Sequence, residues 1–335
     1  MNILIDMPVF EPLLADLKKI PGINVRLVAP SEQPRALAEE QIWDINVLFC
    51  TCPPSNHEKM RQLKMIQISS AGYTQLIGQK FEERDVTACN ALGVFDVPIG
   101  EWNIAMMINL GRDLRRIIRN QESQVWERPA AFQNEIRGGV VGIWGYGGIG
   151  RETARLAKAL GMKVHVLTRN GLKARKNIYC VPGTGDPDAI LPDRVFLMEE
   201  KESFLNGLDY LILAIPQTEN TKGIMGEAEL RMLKKTAFLL NPARGPLIQE
   251  QALIRALQEN WIAGAALDTH YYYPMPQGHP LWLMKNVIFT PHISGSSASP
   301  HFLERTWDIF YQNMIRLQKQ APLLNELPLD ALKGG

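Results

Sequence analysis

The chain has 335 residues, with 36 Lys and Arg against 35 Asp and Glu, a net charge of +1, and 46% apolar residues. That length exceeds one typical domain of roughly 100–200 residues. The even charge gives no support to a nucleic-acid binder, and no run reaches the roughly 18 apolar residues that cross a bilayer. Cys50, Cys52, Cys89 and Cys180 lack C-x-x-C spacing and form no disulfide framework, and Met1–Asp6 does not read as a signal peptide. A two-domain protein of the reducing cytoplasm, with no membrane or nucleic-acid partner and no metal, is expected.

Short apolar runs at 3–5, 24–28, 47–49 and 65–68 read as buried parallel strands. Helical stretches are expected between them at 11–20 and 57–63. Val97-Pro98-Ile99-Gly100-Glu101 interrupts the pattern and reads as a hinge between domains, with a turn before a helix as the plainer alternative. One long helix is expected from Glu101 to Arg119, with the Glu101 carboxylate favouring its N-terminus. A second α/β pattern follows: strands at 140–144, 164–167, 210–215, 237–240, 264–267 and 287–289, and a helix at 149–160. The stretch 171–200, with Gly183, Gly185, Pro187 and Pro192, reads as a long surface loop. A final helix is expected at 298–318 with Phe302, Ile309 and Ile315 on its apolar face.

Gly145-Tyr146-Gly147-Gly148-Ile149-Gly150 matches G-x-G-x-x-G. It directly follows a predicted strand and opens a predicted helix, the context in which backbone N–H groups and the positive end of the helix dipole bind a pyrophosphate. NAD-binding sheets place Asp or Glu at the end of the next strand, on the ribose 2′-hydroxyl. This chain has Thr168-Arg169-Asn170 there, with Lys173 close behind. A hydroxyl and a guanidinium suit a 2′-phosphate, so NADP(H) is the expected cofactor, with NAD(H) as the alternative. The plainer reading leaves Arg169 and Lys173 as solvated loop charges.

With Asn241-Pro242-Ala243-Arg244-Gly245, Gly264-Ala265-Ala266-Leu267-Asp268 and Thr290-Pro291-His292-Ile293-Ser294 in order after the glycine loop, the sequence resembles the D-isomer-specific 2-hydroxyacid dehydrogenases. The Thr168-Arg169 pair resembles that of the NADP-using glyoxylate/hydroxypyruvate reductases. The resemblance implies a Rossmann cofactor domain at 99–294 inserted into a discontinuous flavodoxin-like substrate domain, 1–98 plus 295–335, with the active site in the cleft between them. It implies Arg244 as the clamp on a substrate carboxylate and carbonyl, and His292 as the proton donor. Asp268 is implied as a ligand of the nicotinamide carboxamide, and Ile215, Pro216, Pro242, Ala243, Ser294 and Gly295 as further cofactor contacts. Ser70-Ala71-Gly72-Tyr73 resembles the substrate loop, with Ala71 and Gly72 against the carboxylate.

One family residue is replaced. The Glu that hydrogen-bonds the histidine stands five residues after the aspartate, and here Tyr273 occupies that place in Asp268-Thr269-His270-Tyr271-Tyr272-Tyr273-Pro274. A neutral tyrosine can orient an imidazole but does not stabilise its cation by a full charge, so an acid-shifted reduction profile is expected. His270 and the tyrosines either reshape the pocket or are packing aromatics. The leading expectation is a homodimeric enzyme interconverting a small 2-oxo acid, glyoxylate or hydroxypyruvate first, and the D-2-hydroxy acid. The alternatives are an unusual acceptor such as a phosphonate analogue, or a non-catalytic NAD(P)-sensing scaffold. No added regulatory domain is expected after residue 335.

Overall fold

In the computed structural model, which describes residues 1–333, the chain forms two compact units. Among the described residues one comprises Met1–Val94, Lys176–Val181 and 297–333, and the other Phe95–Arg175 and Pro182–Ser296. The expected division into 1–98 with 295–335 and 99–294 has no counterpart of the short middle segment. Residues 334 and 335, which it also includes, lie outside the described residues.

The first unit is a parallel sheet of β1 (Asn2–Asp6), β2 (Asn24–Leu27), β3 (Val47–Cys50), β4 (Met65–Ile68) and β5 (Thr87–Cys89) in the order β2-β1-β3-β4-β5. This is the flavodoxin-like order. Because strand side chains alternate faces, Leu4, Leu48, Ile66 and Ala88 pack with Ile42, Leu76 and Phe81 on one side. Ile3, Ile5, Val47, Phe49 and Met65 pack on the other against α1 (Glu11–Lys18), and against Trp307, Phe310 and Met314 near the chain's end. Phe49 stacks on Phe310 at 4.1 Å between ring centroids and meets the edge of Trp307 at 5.4 Å. The expected helix at 57–63 is only a 3₁₀ turn, His57–Lys59, and a short helix α2 (Glu39–Ile42) stands where none was expected.

The segment Lys176–Val181 corrects the surface-loop reading of 171–200. Tyr179 is 3% exposed, its hydroxyl donates to Asp308 at 3.0 Å, and its N–H donates to the Asn325 side chain at 3.0 Å. The 171–200 stretch also contains β8 (Arg194–Phe196), too short and too exposed to show a strand pattern.

The second unit begins at Phe95, just before α3 (Asp96–Gly111), so Val97–Glu101 lies inside a helix directly after the point where the units divide, and is not a turn before one. Pro98 is tolerated in a first turn, where no intrahelical acceptor exists for its missing N–H. Gly100 lets α3 lie close to the helix that carries Glu152, since a Cβ there would lie 2.8 Å from Glu152 Cγ. Glu101 sits one turn in, not at the N-terminus. The expected helix to Arg119 breaks at Asp113, which adopts φ +43° and caps α4 (Leu114–Glu122) by accepting from the Arg116 N–H.

The second sheet adds β6 (Val140–Trp144), β7 (Lys163–Leu167), β9 (Tyr210–Leu213), β10 (Phe238–Asn241), β11 (Gly264–Leu267) and β12 (Val287–Phe289), in the parallel order β12-β11-β10-β9-β6-β7-β8. Apart from the added β12 this is the Rossmann order, reversing between β6 and β9. Val141, Ile143, Val164 and Ile212 pack under α3 and α5 (Gly148–Ala159). Leu211, Leu213, Leu239 and Leu267 pack under α6 (Lys201–Leu205), α7 (Glu227–Met232) and α8 (Glu250–Gln258), through Phe204, Leu230 and Leu253. The last helix, α9 (Pro300–Gln318), returns to the first unit, and no described helix is long and apolar enough to cross a membrane.

Emptying the Phe49–Phe310 stack tests the first core. Phe310→Ala is expected to cost about 3–5 kcal/mol in chemical denaturation. Ile190→Ser, at a position 77% exposed, should stay within about 0.5 kcal/mol.

Candidate active site

All strands of the second sheet are parallel, so the segments after β6, β10, β11 and β12 leave from the same edge. The glycine loop follows β6. Gly145 has φ +101°, and a Cβ there would lie 2.5 Å from the Ala214 carbonyl oxygen, so only glycine makes this turn at the sheet's switch point. A Cβ on Gly150 would lie 2.5 Å from the Gly145 carbonyl oxygen, whereas one on Gly147 meets nothing within 4 Å. Gly145 and Gly150 are thus required by packing, as Gly148 is by the Asp96 carboxylate, and Gly147 faces open space. The first N–H groups of α5 have no intrahelical acceptor, the feature by which a helix start binds an anion. Thr168, after β7, has a buried hydroxyl oxygen with no hydrogen-bond partner, while Arg169, Asn170 and Lys173 are exposed. An open cradle at Gly147 and an orphaned hydroxyl one strand away fit a dinucleotide.

The Tyr146 side chain is turned inward, away from any ligand. It is 8% exposed, its hydroxyl donates to Asp186 at 2.6 Å, and burial pushes the phenol well above its usual range. Arg151 donates to the carbonyls of Tyr146 (3.1 Å), Lys173 (2.6 Å) and Asp186, tying the glycine loop to the segment after β7. Asp96 also lies here. Its carboxylate rests against Gly148, leaving no room for a side chain, with the Arg175 guanidinium 3.5 Å away. Asp96, Arg151, Arg175 and Asp186 had no sequence signal, because their partners are distant in sequence.

Arg244, after β10, is exposed and held by Asn241, which is fully buried. The Asn241 side chain accepts from the N–H groups of Ala243 (3.1 Å) and Arg244 (3.3 Å) and donates to the Arg244 carbonyl at 2.8 Å. After β12, His292 is exposed with φ +58°, a conformation rare for non-glycine residues. Its loop is fixed by Asp268, which has no exposed surface. Asp268 Oδ1 accepts from Thr290 Oγ1 (2.6 Å) and Ile293 N–H (2.8 Å), and Oδ2 from Ser294 N–H (3.0 Å) and Ser294 Oγ (2.5 Å). Both oxygens are saturated by the loop. The carboxylate expected on the nicotinamide carboxamide, and the Ser294 hydroxyl expected on the cofactor, are here spent on each other.

Tyr273 reaches His292 with its ring, at 5.6 Å between centroids, and not with its hydroxyl. The hydroxyl accepts from the His270 backbone N–H at 3.2 Å. Tyr271 packs against the buried face under α8. Tyr272 donates to Glu250 at 3.3 Å, and Glu250 also accepts from His279 Nε2 at 2.9 Å. Beyond β9, Ile215 is half-buried beside Gly145 and Pro216 is exposed. Pro242 is buried, and Gly295 packs against Ile99. In the first unit, Gly72 is exposed and a Cβ there would meet nothing within 4 Å, while the Asn90 side chain donates to the Ala71 carbonyl at 2.7 Å.

Residues 104–294 match the family described as D-isomer specific 2-hydroxyacid dehydrogenase, NAD binding domain. A glyoxylate reductase of Thermofilum pendens is 29% identical over 317 residues, 92% of this chain and 89% of the relative. A D-isomer specific 2-hydroxyacid dehydrogenase of Lactobacillus delbrueckii ssp. bulgaricus, solved with NAD, superimposes with a TM-score of 0.76 at 20% identity, covering 98% of this chain and 99% of that one. One from Xanthobacter autotrophicus Py2, solved with NADPH and MES, gives 0.72 at 22% identity, covering 97% and 98%.

The steric difference between two glycines gives a test. Gly147→Ala should leave the melting temperature close to the parent's and weaken NADPH binding about tenfold or more in calorimetry, by obstructing the phosphate cradle. Gly150→Ala should cost about 1–3 kcal/mol of stability through overpacking.

Proposed function

Because the chain belongs to the D-isomer-specific 2-hydroxyacid dehydrogenase family and is an NAD(P)-dependent oxidoreductase, we propose that it reduces a small 2-oxo acid, glyoxylate or hydroxypyruvate first, to the D-2-hydroxy acid, with NADPH preferred over NADH. The observation that carries this reading is the pair of exposed, rigidly anchored groups Arg244 and His292 at one edge of the Rossmann sheet. Thr168-Arg169-Asn170 in place of a carboxylate at the end of β7, with Arg169 and Lys173 exposed, supports the NADPH preference.

The nicotinamide, when bound, supplies the hydride that reaches C2 of the substrate. Arg244 holds the substrate carboxylate and stabilises negative charge growing on the carbonyl oxygen. Protonated His292 gives its proton to that oxygen, and neutral His292 takes the proton back in the oxidative direction. Asn241 and Asp268 keep the two groups from wandering, so little reorganisation is left for the reacting complex. Ala71 and Gly72 are assigned to the substrate carboxylate, and the backbone N–H groups of the glycine loop to the pyrophosphate. Thr168, Arg169, Asn170 and Lys173 are assigned to the adenosine 2′-phosphate.

A homodimer is part of the same reading. Leu114 and Ile118 on α4 are 38% and 45% exposed, and Trp126 just beyond it is 90% exposed, an apolar face suited to a second copy. The proposed cytoplasmic location fits four free thiols.

Oxidation of NADPH and NADH with glyoxylate, hydroxypyruvate, pyruvate and phosphonopyruvate tests the assignment directly. Faster NADPH oxidation with glyoxylate or hydroxypyruvate is expected, and a preference for NADH would overturn the role of Thr168 and Arg169. Arg169→Asp should shift the kcat/KM ratio of the two cofactors toward NADH by about 10–100-fold, the worth of one charge-assisted phosphate contact. Tyr273→Glu should move the alkaline limb of the reduction profile to higher pH, because a carboxylate beside His292 favours the proton-donating cation. An unmoved limb would show that Tyr273 does not stand in for the family's glutamate.

A further inference from the structure

Three segments of the site converge on His270, which is 6% exposed. Its N–H donates to the Tyr273 hydroxyl at 3.2 Å. Its backbone lies directly against Gly245, the residue after Arg244, where a Cβ would fall 2.6 Å from the His270 carbonyl oxygen. Its ring stacks on Phe289 at 3.8 Å and 14°, and its Nε2 lies 2.7 Å from the Thr290 carbonyl oxygen. A carbonyl only accepts, so Nε2 carries the proton.

The His292 N–H is shared between two carbonyls, that of Asp268 at 2.8 Å and that of Thr290 at 3.0 Å, and the Thr290 bond closes a tight turn around Pro291 that leads into the left-handed His292. Asp268 anchors the Thr290 side chain, the His292 N–H and the backbone after it, whereas the Thr290 carbonyl has no other described partner outside the turn than His270 Nε2. Among the described residues no hydrogen bond or ion pair joins a carboxylate to the His292 ring, where Tyr273 supplies only a tilted ring. The orientation of His292 therefore depends on its backbone. Burial lowers the His270 pKa, opposed by the Thr290 carbonyl and Asp268, with His292 and His279 adding to the lowering. A neutral His270 places no second cation beside the proton donor.

We propose that His270 is a positioning residue, whose Nε2–H grips the Thr290 carbonyl and thereby sets the orientation of the His292 imidazole relative to Arg244. This rests on the reading of His292 as the proton donor.

Two substitutions separate the hydrogen bond from packing. His270→Phe keeps a ring to stack on Phe289 and loses the donor, while His270→Gln keeps an N–H donor at about the same reach. The expected result is a kcat about tenfold lower in His270→Phe, with KM for the 2-oxo acid and for NADPH within about twofold, and recovery to within about threefold of the parent in His270→Gln. A parent-like kcat in His270→Phe, or equal impairment in both variants, would overturn the proposal. If His270→Phe fails to fold, histidine-selective nitrogen-15 NMR of the parent decides. A neutral Nε2–H tautomer at about pH 6 to 8 is expected for His270, and the Nδ1–H tautomer would refute the grip. Absence of turnover by the parent would instead refute the reductase reading. The His292 resonances would then still test His270, since they should move in His270→Phe and stay near the parent position in His270→Gln.

Discussion

A carboxylate with no exposed surface, Asp268, sets the geometry of the catalytic edge. Its oxygens accept two backbone N–H groups and two hydroxyls from the Thr290–Ser294 loop, so all of its lone-pair directions are used within five residues of chain. A buried charge is tolerable only when so completely hydrogen-bonded. That saturation offsets a left-handed backbone at His292, which an isolated chain would disfavour. The same logic recurs one strand over, where buried Asn241 folds the chain back on itself and leaves the Arg244 side chain exposed. Two exposed reactive groups thus stand on two buried polar anchors.

What the sequence revealed and what it concealed follow one physical division. The sheets were legible because buried parallel strands are continuous apolar runs, and 65–68, 140–144, 264–267 and 287–289 match the observed strands residue for residue. The glycine loop was legible because its constraints are local: a positive φ at Gly145 and a close approach at Gly150. The break between α3 and α4 was not, since the apolar rhythm continues through it and only the conformation of Asp113 interrupts the helix. Pro98 and Gly100 looked like punctuation, but one sits in a first turn and the other makes room for Glu152. β8 was missed for the opposite reason: two of its three residues are exposed, and its pairing with β7 is visible only in space.

The site divides in the same way. Arg244, His292 and the glycine loop came from short motifs. The groups that fix them, Asp186 on Tyr146 and His270 on Thr290, act across 40 and 20 residues of chain, beyond any local pattern. Tyr273 shows the limit of position alone. Its place in the motif predicted a neutral side chain able to orient the imidazole, and what lies beside His292 is the ring, since the hydroxyl takes the N–H of His270, three residues away. The ring is what remains for His292, and a ring edge or face contributes shape without contributing charge.

The short segment Lys176–Val181 has a consequence for how the protein is divided and recombined. Joining Val94 directly to Ser297 would not yield a complete first unit, because Tyr179 and its partners would be lost with the excised piece. Asp308 and Asn325 would lose hydrogen-bond donors, and Gly93, whose φ of +103° and closeness to the Tyr179 carbonyl admit no side chain, would face a void. Domain exchange in this chain is therefore a three-segment operation, and a graft that transfers the Rossmann unit must keep the 176–181 segment of its host.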